Sequence, residues 1–246
     1  MIRSIFTLII LAIIVIPMAT AASILAFLHL PRASVDFIYH TFFGLCLVLL
    51  GIKLQPTVWH TDKTQLAEQL VIVSNHESHL DIPSILIGLK LRSIRFVAKA
   101  SLFRIPFFGW GMSATGNISV DRKGTGNDLQ RLEESGSRSC YDILFFAEGT
   151  RSKDGLIQPF KKGGIVFAIN QRRPILPIAV GGSYELLPAG QNYARPGKVA
   201  VVVGEPIEVA QLTIDDRDAL RDRVQSIVYT LREEALKIAG SPRAKA

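Results

Sequence analysis

Cysteine is nearly absent. The 246 residues contain two, Cys46 and Cys140, far apart and in no C-x-x-C pair. That excludes a disulfide framework and the common zinc-ribbon spacings, and leaves the expectation of two buried small hydrophobes in a reducing compartment. Charge is missing from Ser4 to Pro31, where no Asp, Glu, Lys or Arg occurs. That run exceeds the roughly 20 apolar residues that cross a bilayer. A second uncharged run, Phe37 to Ile52, reaches only about 24 Å at 1.5 Å per residue, short of a ~30 Å hydrocarbon core. It reads as interfacial or re-entrant rather than spanning. Internal repeats, zinc-finger spacing, helix-turn-helix signatures and basic-aromatic ribonucleoprotein motifs are absent too, which argues against nucleic acid as a partner.

What is present is a basic, apolar chain. The net charge is +7, the pI about 9.6, the hydrophobic fraction 48% and the mean hydropathy +0.29. The cations are scattered rather than gathered in a tail, and with an apolar start they favour an anionic membrane surface. A cleaved signal peptide is the rival reading of residues 1–21: Arg3 as n-region, Ile5 to Ile16 as h-region, Ala19-Thr20-Ala21 as cleavage box. The second apolar run and the basic residues downstream favour instead a membrane hairpin over 1–52, leaving Arg3 and the domain from Lys53 on the cytoplasmic side. The expected organisation is that hairpin, an α/β domain over 53–240, and a frayed tail over 241–246.

From Lys53 the chain alternates two periodicities. Short apolar, β-branched runs predict strands at Val71–Val73, Ile94–Ala98, Ile118–Val120, Ile143–Phe146, Ile175–Val180 and Val199–Val203. Helices are expected at Ile82–Leu89, Asp128–Arg138, Gly163–Asn170 and Arg217–Ile238. The last carries a stripe of Leu220, Val224, Ile227, Leu231, Ala235 and Ile238. Continuous apolar strands alternating with helices predict an α/β fold, a mostly parallel sheet flanked by helices. Sites in such sheets lie beyond the carboxyl ends of strands.

The stretch 74-SNHESHLDIP-83 occupies that kind of position. A metal site needs more than His76 and His79, whose spacing misses H-E-x-x-H by one residue. A nucleophile elbow G-x-S-x-G does not occur around Ser74 or Ser78. A third reading makes His76 a general base with Asp81 as its orienter, since a carboxylate on one ring nitrogen leaves the other free to take a proton. A fourth is a polar turn with a cap. Two further strand ends carry arginine: 145-FFAEGTRSKDG-155, with Glu148 and Arg151 around Gly149-Thr150, and 116-GNISVDRKG-124, with Arg122. Arginine suits bidentate phosphate binding, although a surface ion pair with the neighbouring acid accounts for each alone.

Together these segments resemble the glycerolipid acyltransferase family, in particular bacterial 1-acylglycerol-3-phosphate acyltransferases. Asn75, His76 and Asp81 match its N-H-x-x-x-x-D, and Gly116 through Arg122 match G-x-x-x-[IV]-D-R. Phe146 through Ser152 match F-P-E-G-T-R-S, with Ala147 in place of the proline. The run 175-ILPIAV-180, with internal Pro177 and the following Gly181-Gly182, matches the fourth motif.

The resemblance implies transfer of a fatty acyl group from acyl-CoA or acyl-carrier protein to the free sn-2 hydroxyl of a lysophospholipid, giving phosphatidate. It implies His76 as base, Asp81 as orienter and direct attack without an acyl-enzyme. Arg122, Glu148, Gly149, Thr150, Arg151 and Lys99 would form the phosphate site, supported by Asn75 and Pro177. No cofactor and no metal are implied, and the location is a bacterial inner membrane with the catalytic domain on the cytoplasmic side. Phe107, Phe108 and Trp110 lie at a membrane interface or in the core, and Glu77, Ser78 and His79 shape the pocket or face solvent. Other lysolipids as acceptors, a membrane-bound lipid hydrolase and a non-catalytic membrane adaptor are the alternatives.

Overall fold

The computed structural model describes residues 32–67, 69–90, 92–121 and 140–245, with positions 17, 20, 21, 24, 28, 132 and 134 beyond them. Most of the first apolar run, Arg122 and most of the helix expected at Asp128–Arg138 lie outside the described residues. In chain order the elements are α1 (Arg32–Leu49), β1 (Ile52–Leu54), β2 (Val58–Trp59), β3 (Val71–Ser74), α2 (Asp81–Gly88), β4 (Ile94–Lys99) and α3 (Phe108–Ala114). They continue with β5 (Ile118–Val120), β6 (Asp142–Phe146), α4 (Gly163–Gln171), β7 (Ile175–Gly181), α5 (Ser183–Leu186), β8 (Gly197–Val203) and α6 (Arg217–Ala239).

The strands form one sheet in the order β1-β8-β7-β3-β6-β4-β5, with β2 also paired to β8. Every pairing is parallel except β7 with β8. Residues along a strand alternate between faces. Val71, Val73, Phe145 and Ala179 therefore pack with Phe167 of α4 and Val224 and Leu231 of α6. Ile72, Leu144, Ile178 and Val201 pack with Ile85 and Leu86 of α2 and Leu47 of α1 on the other side. Because both faces are covered, β3 and β7 are buried along their whole length. That is why their sequences read as unbroken apolar runs.

The second apolar run belongs to α1 and β1. Leu47 and Ile52 enter the core, while Phe37, Leu45, Val48 and Leu49 are exposed. No helix among the described residues is long and apolar enough to cross a membrane. A polar cluster ties the first half of α1 to the sheet. Asp36 Oδ1 accepts from Arg95 Nη1 at 2.8 Å, and Ser93 Oγ donates to Asp36 Oδ2 at 2.6 Å. The Arg95 guanidinium, 1% exposed as a residue, lies over the rings of Tyr39 and Tyr141. Asn117 Nδ2 donates to the Tyr39 hydroxyl at 2.7 Å.

Proline inside a buried strand normally costs a ladder bond. Pro177 avoids that cost. Its carbonyl accepts from Gly204 N at 2.9 Å, one residue past the end of β8. In extended chain a residue's N–H and C=O point to the same side, so the missing donor falls where β8 has ended and not on β3. The residues after α6, expected to fray, form a 3-10 turn over Pro242–Lys245. Ser241 Oγ donates to Glu185 Oε1 at 2.6 Å, and the Arg243 guanidinium stacks on Tyr184, which holds the turn to the domain.

Candidate active site

Strands β3, β6 and β7 put their following loops side by side, since β3 pairs in parallel with both neighbours. Asn75, just past β3, extends the ladder with its side chain. Its amide oxygen accepts from Val180 N and its Nδ2 donates to Val180 O, both at 2.9 Å. The next residue is His76, turned out of the sheet with 14% of its side chain exposed.

The His76 imidazole is held from two directions. Its Nδ1 lies 2.8 Å from Asp81 Oδ2. A carboxylate oxygen accepts, so Nδ1 carries the proton and Nε2 carries the lone pair. Nε2 makes no hydrogen bond among the described residues. The ring also stacks on Phe146, the last residue of β6, with centroids 3.8 Å apart and planes 16° apart.

Asp81 is the first residue of α2, where the helix dipole favours a negative charge. It is fully buried. Its Oδ2 also accepts from the backbone N–H groups of Glu77 at 2.7 Å and Ser78 at 2.8 Å. Its Oδ1 accepts from Ser183 Oγ at 2.5 Å. The serines are thereby accounted for: Ser183 serves Asp81, Ser78 Oγ donates to Leu187 O, and neither hydroxyl bonds His76.

Ser183 reaches Asp81 because two glycines let β7 end against its neighbours. A Cβ on Gly181 would sit 2.6 Å from backbone atoms of Ala235 and Leu236 in α6. One on Gly182, whose φ is +88°, would sit 2.6 Å from Lys198 O. No side chain fits either place.

The loop after β6 is stitched to the loop after β3. Ser152 N donates to His76 O at 2.7 Å, and Glu148 Oε1 accepts from His76 N at 2.7 Å. Glu148 Oε2 accepts from Gln158 N at 2.9 Å. The carboxylate is buried and both of its oxygens are taken by backbone donors, so it holds the loop rather than presenting an oxygen at the surface. Burial pushes its carboxyl up to about 7, against the pull of those two N–H groups. Glu77 differs from expectation. It neither shapes a pocket nor faces solvent, but is buried and bonded to Arg232 and Asn75. Of that trio only His79 is exposed.

Gly149 turns the loop with φ +73°, and Lys161 covers the space a Cβ would fill, its Nζ 2.9 Å from that point. Beyond the turn stand exposed Thr150 and partly exposed Arg151. Partial burial pulls the Arg151 guanidinium below its ordinary value, and the Asp81 carboxylate draws it back up. Arg151 forms no ion pair among the described residues, which removes the surface-pair account of this arginine. Lys99 is exposed at the same end of the sheet, at the close of β4. Pro177 lies within β7, away from this surface. Arg122 is outside the described residues.

Past Lys99, exposed Leu102, Ile105, Phe107 and Trp110 surround exposed Arg104. The Phe107 and Trp110 rings are 5.1 Å apart. Sequence reasoning left Ser183, Gln158, Lys161 and Arg232 unassigned. Ser183 and Arg232 are 102 and 155 residues from the residues they serve, while Gln158 and Lys161 lie shortly after the third motif but outside it; only Ser183, next to the glycine pair, stood beside a motif.

An acyltransferase family model matches residues 55–181. A chloroplastic 1-acyl-sn-glycerol-3-phosphate acyltransferase of Brassica napus, BAT2, is 37% identical over 142 residues, covering 56% of this chain and 40% of its own. The 1-acyl-sn-glycerol-3-phosphate acyltransferase of Haemophilus influenzae is 29% identical over 222 residues, covering 87% of this chain and 90% of its own. The chain spans less than half the length of the plant and algal relatives it matches. The crystal structure of the 1-acyl-sn-glycerophosphate acyltransferase PlsC from Thermotoga maritima superposes with a TM-score of 0.76, at 24% identity and 92% coverage of both chains. That likeness establishes the mostly parallel, helix-flanked fold.

Proposed function

The chain belongs to the acyltransferase family, and from that premise we propose that it acylates the free hydroxyl of 1-acylglycerol-3-phosphate to give phosphatidate, with an acyl thioester as donor. The observation that carries the reading is the His76–Asp81 pair at 2.8 Å, with Nε2 left without a partner among the described residues at a strand-end surface. Nε2 takes the proton of the acceptor hydroxyl as its oxygen attacks the thioester carbonyl. The tetrahedral intermediate collapses, the C–S bond breaks, and the imidazolium returns the proton to the leaving thiolate. Asp81 stabilises the imidazolium in between.

Arg151 and Lys99 are the proposed cations for the acceptor phosphate, with Arg122 the third. Lys161, lying over Gly149, adds a fourth near the same loop. A coenzyme A or acyl-carrier-protein thioester would serve as donor, and no cofactor enters these steps. The exposed rings of Phe107 and Trp110 beside Arg104, and the outer face of α1, support a membrane surface as the place of work. In that setting the acceptor's tail stays in lipid while its headgroup meets the cations.

The test is acyl transfer from labelled acyl-CoA and acyl-carrier protein in detergent–lipid micelles. Lysophosphatidate is run beside other lysolipids, for wild type and His76→Ala. Phosphatidate formation that disappears in a folded His76→Ala is the expected result. Transfer only to another lysolipid would replace the acceptor, and undiminished transfer by His76→Ala would end the assignment of the base.

A further inference from the structure

A residue of the C-terminal helix, outside all four sequence motifs, reaches the loops that carry the base. Arg232 of α6 is 4% exposed. Its Nε donates to Glu77 Oε1, and its Nη2 donates to Gly155 O. Glu77 immediately follows His76 and is fully buried; its Oε1 also accepts from Asn75 Nδ2 at 3.2 Å. Gly155 closes the loop that begins at Ala147. One planar guanidinium therefore spans the two loops whose relative position sets where the imidazole stands.

We propose that Arg232 is a positioning residue for the His76 base, holding the loop after β3 against the loop after β6. The inference rests on the reading of His76 given above. Three features argue that more than packing is involved. The fork geometry of arginine satisfies two acceptors in fixed directions, which a lysine ammonium cannot do at one place. Among the described residues Glu77 Oε2 has no hydrogen-bond partner, so the pair is not saturated, and removing Arg232 leaves the buried carboxylate with Asn75 alone among them. Arg232 also draws down the Glu148 carboxyl, which burial pushes up and which binds the backbone N–H of His76 itself. The same cation thus acts on both acids that flank the base along the chain and across the sheet.

The full chain in detergent–lipid micelles is assayed as wild type, His76→Ala, Arg232→Met and Arg232→Lys, well below each melting temperature. Displacing a catalytic group by about an ångström costs up to roughly a hundredfold. Arg232→Met is therefore expected to lower kcat about tenfold to a hundredfold, with KM for lysophosphatidate within about twofold. Arg232→Lys keeps the charge but reaches one partner, and recovers only part of the loss. A general loss of folding would scale the active fraction in both variants without this partial order. A folded Arg232→Met with wild-type kcat overturns the proposal, as does a change confined to KM. Should Arg232→Met not fold, wild-type kcat in Arg232→Lys overturns it. With His76→Ala inactive, either of those results removes the positioning role alone. A fully active His76→Ala removes the base, and the role of Arg232 with it.

Discussion

Replacing Asp81 by Asn tests the core of the mechanism, because the structure dictates how the amide will sit. Three donors face Oδ2: His76 Nδ1 at 2.8 Å and the N–H groups of Glu77 and Ser78 at 2.7 and 2.8 Å. One hydroxyl faces Oδ1, from Ser183 at 2.5 Å. An asparagine can satisfy all four only with its oxygen toward the three N–H donors and its NH₂ toward Ser183 Oγ, which turns to accept. The tautomer and orientation of His76 are then preserved, and what is lost is the negative charge beneath the imidazolium. Two unit charges about 4 Å apart attract by about 4 kcal/mol at an effective dielectric near 20, and solvent screening of the partly exposed ring reduces that to about 2 kcal/mol. At 1.36 kcal/mol per tenfold, kcat should fall roughly 30-fold, with KM for both substrates unchanged. Steady-state kinetics on the folded variant decide the matter. A kcat within about threefold of wild type would refute a charge-stabilised imidazolium, and a rise in KM alone would move Asp81 into substrate binding. Adding Ser183→Ala removes the acceptor for the amide NH₂, so the double variant should lose more than the two single losses combined.

Arg151→Ala should raise KM for lysophosphatidate about tenfold or more while leaving KM for the thioester unchanged, because a phosphate–guanidinium pair is a charge-assisted bond; equal effects on both substrates would count against a phosphate role. Gly181→Ala forces a Cβ to 2.6 Å from the α6 backbone, an overpacking that costs about 1–3 kcal/mol and lowers Tm by about 2–4 °C per kcal/mol; an unshifted melting curve would contradict the close seat of the helix. Glu148, with its folded carboxyl raised to about 7 by burial from an ordinary value of 4.5, contributes stability that is fully present below about pH 4.5 and is lost as pH rises through about 7. The loss is bounded near 3 kcal/mol. Denaturation at pH 5, 6, 7 and 8 should show stability falling with pH in wild type and a flatter profile in Glu148→Gln; identical slopes would exclude this carboxyl as their source.

Local chemistry was the legible part of this site. His76 and Asp81 meet within one strand-to-helix turn, so a five-residue spacing was enough to pair them. The neighbours of that pair could not be read the same way. Ser183 and Arg232 come to Asp81 and Glu77 from 102 and 155 residues away along the chain, and neither carries a local pattern. The burial of Glu77 and Glu148 was not legible because sequence shows polarity and not depth; both stand on loops packed together by the parallel pairing of β3 with β6 and β7. The apolar runs of β3, β7 and β8 were plain, since a strand covered on both faces cannot alternate. The two- and three-residue strands β2 and β1 are too short for any period, and exist only because β8 offers them an edge.

The cluster of Asp36, Tyr39 and Arg95 has a consequence for reach. The helix is joined to the sheet at its first half and inserted into the core at Leu47. Its outward residues, Phe37, Leu45 and Val48, are therefore tied through that cluster to the sheet whose strand ends carry His76. If those residues rest upon a surface, that tie sets the height of the base above it. In that case access would depend on how far an acceptor's hydroxyl extends from its own tail, and the fold would work as a depth gauge. Loosening Arg95 would blur that height without touching a single group of the reaction.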